Sequence, residues 1–144
     1  MSIETSNALR LEGNKFFQEK KFYNALRCYT EAIENNPNDA LSIANRSQTL
    51  LNLGSYDLAY IDAENAVKMD PNNTKAHFRL VTSLHKMGLD LFAKEASKKF
   101  NIDWSLVVGK NYEEKINDNE YIEVNHTLKL EDTQSEDSLE IIRF

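Results

Sequence analysis

Residues 12–37 read EGNKFFQEKKFYNALRCYTEAIENNP, and the spacing of apolar residues through this stretch decides the fold. Ala8, Leu9, Leu11, Phe16 and Phe17 recur at helical intervals up to the polar turn QEKK at residues 18–21. Phe22, Ala25, Leu26, Tyr29, Ala32 and Ile33 then form a second apolar stripe of the same period. NNPND (residues 35–39) closes it, because proline cannot continue a helix and Asn and Asp favour turns and caps. The stretch therefore reads as a helical hairpin, two amphipathic helices that bury their stripes against each other.

The pattern recurs along the chain. Pro37 and Pro71 lie 34 residues apart, as do Ala25, Ala59 and Ala93, Ala32 and Ala66, and Gly54 and Gly88. A fixed period of this length marks a stack of supersecondary units. Three registers follow, over about residues 6–39, 40–73 and 74–105. In the second, a helix over Leu41–Leu53, a turn at Gly54-Ser55 and a helix over Tyr56–Met69 lead into DPNN. The small residues at 25, 59 and 93 allow two helices to approach closely, and the aromatics at 22 and 56 fill the space where each hairpin turns.

Charge is unevenly distributed. Residues 1–104 hold 13 acids and 13 Lys/Arg, so the net charge of −6 arises entirely in residues 105–144. An acidic tail argues against nucleic acid as a partner, since phosphate binding needs positive surface. No apolar run reaches the ~18 residues of a membrane span, and the N-terminus lacks a basic segment followed by an apolar one. Cys28 is the only cysteine, which fits a reducing compartment. A soluble, cytoplasmic, monomeric protein is expected.

The three registers resemble the tetratricopeptide repeat family, over about residues 6–100. The quoted stretch carries that family's order of small residue, aromatic, alanine, aromatic, alanine and proline. The third register departs from it: Ser97 and Phe100 stand where an aromatic and an alanine are usual, and Ser105 stands at the closing proline position. The resemblance implies an all-α fold, three hairpins in a right-handed superhelical array whose first helices line a concave groove for a peptide or protein.

Five polar residues fall on first helices: Arg10, Asn14, Asn45, Lys75 and Arg79. They lie within RLEGNKFF, ANRS and KAHFR. These segments resemble K-x-x-G-N-x-x-F, N-R and K-A-x-x-R, the pattern of the dicarboxylate-clamp co-chaperones. The resemblance implies binding of the free C-terminal Glu-Glu-Val-Asp tail of the 70 and 90 kDa heat-shock chaperones. Asn14 and Asn45 would donate amide hydrogens to the terminal carboxylates, and Lys75 and Arg79 would supply charge. Arg10 replaces the usual lysine with a planar fork. A chain-terminal Asp presents two carboxylates, and three cations with two amides are complementary to it. Phe17, Leu51, Phe78 and His85 are candidates for a pocket around the peptide's side chains, with core packing as the other reading of Leu51 and Phe78.

No catalytic constellation is legible. His77, His85 and His126 lack the companions of a metal site, no glycine-rich phosphate loop exists, and Cys28 reads as a buried structural thiol. No cofactor or metal is expected. The family implies no enzyme, although such repeats also serve as scaffolds for other partners and as docking segments of larger enzymes. After the repeat domain of residues 1–104, residues 105–120 read as a capping helix. Trp104, Leu106, Val107 and Tyr112 would then cover the last apolar face, with Asp103 as its cap. Residues 121–144 read as an acidic tail, extended or disordered, in which YIEVNHTLKLED alternates like a strand without an obvious partner strand. This tail is either a solubilising linker or an occupant of the basic groove.

Overall fold

The structure is a computed structural model that describes residues 2–109 and the backbone of residues 114–116 and 122–124. Six helices follow one another in pairs: α1 (Ile3–Gln18) with α2 (Phe22–Asn35), α3 (Ala40–Asn52) with α4 (Tyr56–Met69), and α5 (Thr74–Lys86) with α6 (Asp90–Lys99). A short α7 (Trp104–Val108) packs against α5.

The 34-residue period governs backbone geometry as well as composition. The first helix of each pair opens on a side-chain cap. Ser2 accepts from the Thr5 amide, Asp39 from Ser42, and Asn73 from Lys75 and Ala76. Each such bond satisfies one of the amides a helix start leaves unpaired. The second helices have no such cap, because they follow tight turns that impose the entry angle. In each turn one amide reaches back to the last turn of the preceding helix: Lys21 to Phe16 O (2.8 Å), Ser55 to Leu50 O (2.9 Å), Leu89 to Leu84 O (2.9 Å). That closure needs a left-handed residue just past the helix. Gly54 (φ 83°) and Gly88 (φ 82°) supply it in two turns, and Lys20 (φ 62°) holds the same position in the first.

Close approach of the paired helices is set by the repeated alanines. Ala25, Ala59, Ala93, Ala32 and Ala66 all have no solvent exposure. Between pairs, Ile43, Ala44, Ala66 and Ala76 form the middle joint, while Phe78, Leu80, Val81, Leu84, Ala93, Ala96, Ile102 and Val107 form the largest cluster. Trp104 and Leu106 pack on that cluster, so α7 covers apolar surface that α5 and α6 leave open. Tyr112 lies outside the described residues.

The expected helix over 105–120 is shorter and is followed by strands. Asp103 caps α7 through the Ser105 amide, but the helix ends at Val108, where Gly109 takes an extended backbone. Glu114–Ile116 (β1) instead pairs antiparallel with Ile122–Val124 (β2), with Ile116 opposite Ile122. Ile122–Val124, within the alternating segment, thus has a partner strand that its own sequence did not announce. The backbone of β1 lies against α1 and that of β2 against α5. The rest of the acidic tail lies outside the described residues.

Candidate functional site

Among the first helices, α3 touches both α1 and α5. Asn14 and Asn45, 31 residues apart in sequence, meet between α1 and α3: Asn45 Nδ2 donates to Asn14 Oδ1 at 3.0 Å. The Tyr29 hydroxyl donates to the same oxygen at 2.5 Å. Two donors on one oxygen fix the rotamer and the flip of the Asn14 amide, so its NH2 corner points away from Tyr29. All three side chains have no solvent exposure. Burial pushes the Tyr29 phenol far above its ordinary range, with Arg79 and Arg10 pulling the other way, so it remains a donor. Arg79, which acts on this phenol as a charge, comes from the third helix pair. The buried Asn45 Oδ1 has no hydrogen-bond partner among the described residues.

Equivalent positions in the second and third pairs are held alike. Thr49 Oγ1 donates to Asn45 O (2.8 Å), and 34 residues later Ser83 Oγ donates to Arg79 O (2.7 Å). Asn45 and Arg79 are therefore one position of the repeat, presenting an amide in α3 and a guanidinium in α5. Lys75, one turn before Arg79, is half-buried.

Arg10 has a different setting. Its Nη1 donates to Asn7 Oδ1 (3.0 Å) and reaches Asp39 Oδ1 at 3.4 Å. Asp39 is itself buried and accepts from Ser6 Oγ and Ser42 Oγ, both at 2.7 Å, while capping α3. Arg10 is thus tied to the joint between the first and second pairs, and part of its charge is balanced there.

The pocket candidates divide. Phe17 packs edge-on against Phe22 (5.1 Å) in a cluster with Ala25 and Tyr29, and Phe78 sits in the large cluster at 2% exposure, so both have core roles. Leu51 is half-buried on α3. His85 stands at the far end of α5, bonded to Asp90 (2.8 Å) and edge-on to Trp104 (5.4 Å), a contact that joins α5, α6 and α7. Arg46 of the ANRS motif forks onto Asp62 (2.7 and 3.0 Å) and donates to Thr30 (3.3 Å), which binds α3 to α4 and α2.

Sequence reasoning missed three contributors. Tyr29 is indistinguishable in the pattern from any other residue of an apolar stripe. Asp39 looked like a turn residue, and its reach to Ser6 and Arg10 depends on how successive pairs pack. Gly13 had a signal, its place directly before Asn14 in RLEGN. A Cβ on Gly13 would stand 2.7 Å from Tyr29 Cε1 and 2.9 Å from Cδ1, so glycine is what lets the Tyr29 ring lie on α1. Cys28 is buried, and burial raises its thiol above the ordinary value, in keeping with a packing role. Among the described residues no group of three or more His, Cys, Asp or Glu could hold a metal ion. No helix there is long and apolar enough to cross a membrane.

Known proteins resemble this chain in sequence and in fold. A tetratricopeptide repeat profile matches residues 28–60. The chain is 37% identical over 89 residues to Hsp70-Hsp90 organizing protein 3 of Arabidopsis thaliana, covering 62% of this chain and 15% of that protein. The second tetratricopeptide domain of Spaghetti (RPAP3), bound to the HSP90 peptide SRMEEVD, superposes with a TM-score of 0.65. It is 30% identical, and the match covers 68% of this chain and 91% of that one. The second such domain of human RPAP3, in complex with the HSP70 peptide SGPTIEEVD, gives a TM-score of 0.61 at 30% identity, covering 73% and 87%. The chain spans only a small part of the curated relatives it matches, 15% and 28% of the first two. With the period, the alanine contacts and the paired helices, these matches establish the lineage. The chain belongs to the tetratricopeptide repeat family.

Proposed function

We propose that this chain is a non-enzymatic protein-interaction module of a cytoplasmic co-chaperone or adaptor. Its ligand is the free C-terminal Glu-Glu-Val-Asp tail of the 70 and 90 kDa heat-shock chaperones, held on the face of α1, α3 and α5. The observation that carries the reading is the convergence of Asn14 and Asn45 at 3.0 Å, braced by Tyr29. Two relatives of similar architecture are bound to peptides ending in Glu-Glu-Val-Asp, which supports the same ligand class here.

In this reading Asn14 and Asn45 donate amide hydrogens to the carboxylates of the terminal Asp, and Lys75 and Arg79 supply charge. Arg10 adds positive potential from the Asp39 joint, and Leu51 borders the peptide's apolar side chain. Each charge-assisted bond contributes about 1.5–3 kcal/mol. Ordering a flexible peptide offsets much of that, which leaves micromolar affinity, about −8 kcal/mol. Lys75 is the most tractable test because it is only half-buried. Lys75→Ala should weaken a synthetic SRMEEVD peptide about tenfold, or ~1.4 kcal/mol, and Lys75→Glu should weaken it further, both with unchanged helical circular dichroism. Full affinity in Lys75→Glu would remove Lys75 from the clamp and count against the ligand.

A further inference from the structure

We infer that the β1–β2 strand pair is a built-in competitor for this face, a stand-in for the peptide that a partner's tail must displace. The inference rests on the chaperone-tail reading above and adds regulation to it. Three observations converge. First, β1 lies against α1, the helix of Arg10 and Asn14, and β2 against α5, the helix of Lys75 and Arg79. Second, Asn14, Asn45 and Arg79 have no solvent exposure at all. Tyr29 and the Asn14–Asn45 bond account for part of that burial, and a peptide reaches these groups only where a covering element moves aside. Third, β2 and the residue after it read Ile122-Glu123-Val124-Asn125. The HSP70 peptide bound by the human relative ends Ile-Glu-Glu-Val-Asp. The Glu-Val pair is shared, followed by Asn in place of Asp.

The differences from the peptide define the stand-in. Asn is the uncharged isostere of Asp, and the chain continues beyond residue 125, so this segment offers neither of the two carboxylates of a true C-terminus. A neutral amide oxygen still accepts from Lys and Arg, but it lacks the ion–ion attraction of a carboxylate and does not match the guanidinium fork with two oxygens. The segment is therefore a weak ligand held at high effective concentration by its own chain, which a true carboxylate terminus can outcompete. Charge favours its position, since the whole acidic surplus of the protein lies in residues 105–144.

The test uses the full chain and a labelled SRMEEVD peptide read by fluorescence anisotropy. Successive amides of a strand point to opposite edges, so proline at one of positions 122 and 123 removes a ladder bond. Ile122→Pro or Glu123→Pro, or both, should bind the peptide at least fivefold more tightly than wild type, with helical content unchanged. Saturating wild type with the peptide should also speed amide exchange at residues 114–116 and 122–124. Equal, measurable affinity in wild type and both variants would overturn the competitor while leaving the chaperone-tail reading intact. So would weaker binding in both variants, or exchange that peptide does not alter. If neither wild type nor variants bind, the chaperone-tail reading itself falls, and the competitor with it.

Discussion

Gly13→Ala is a single-methyl perturbation whose consequence can be worked from the packing. The new Cβ would meet Tyr29 Cε1 at 2.7 Å and Cδ1 at 2.9 Å, both well inside carbon–carbon contact distance. The ring has no exposed side toward which to swing, because Tyr29 is fully buried. Restoring contact requires the ring to retreat by about 1 Å, given that carbon pairs sit near 3.5–4.0 Å. Overpacking of this kind costs about 1–3 kcal/mol. The retreat also lengthens the 2.5 Å bond from the Tyr29 hydroxyl to Asn14, a loss of about 1 kcal/mol. Against this, alanine in place of glycine within a helix contributes about 1 kcal/mol. The net expectation is destabilisation of about 1–3 kcal/mol, read by urea denaturation followed by circular dichroism. A double-mutant cycle with Tyr29→Phe separates the two costs. Gly13→Ala should cost about 1 kcal/mol less in the Tyr29→Phe background, where no hydroxyl bond remains to be lost. A Gly13→Ala protein as stable as wild type, or more stable by the helix-propensity gain, would refute the reasoning.

Lys20→Gly relieves a left-handed residue at the position where the other two turns hold Gly54 and Gly88, and should stabilise the fold by about 1 kcal/mol, measured the same way. His77 stacks on Phe100 at 4.0 Å and its pKa is lowered, first by burial. A depressed folded pKa means the unfolded chain takes up the proton first. The contribution is thus fully present above pH ~6.5 and lost as pH falls toward the folded value. His77→Phe should keep the stack and flatten that part of the stability–pH curve between pH 7 and 5. Asp39→Ala removes the α3 cap together with the bonds from Ser6 and Ser42 and the Arg10 pair, and should cost about 2–4 kcal/mol by denaturant titration.

Periodicity made the helix pairs legible, because each repeat copies its neighbour and the copies reinforce a signal that one unit carries weakly. The same period exposed the polar residues of the first helices, and Asn14 and Asn45 do meet. What escaped the sequence depends on contacts between units. Tyr29 is an apolar-stripe residue until its hydroxyl finds α1, and Arg10 is one more basic residue until Asp39 arrives from 29 positions away. Core packing is already one reading of Phe78 in the sequence, whereas the core place of Phe17 and the link His85 makes from α5 to α6 and α7 emerge only from packing. The shortened α7 and the strand pair lie where the period ends, and beyond it the chain has no copy of itself to read against.

The most direct measurement of the central claim compares two peptides that differ in one group. Calorimetric titration of the full chain with SRMEEVD carrying a free C-terminal carboxylate should give micromolar affinity that weakens as salt is raised. The same peptide with a C-terminal amide should lose nearly all of it, since one of the two carboxylates the clamp holds is gone. Equal affinity for the acid and the amide would contradict the clamp.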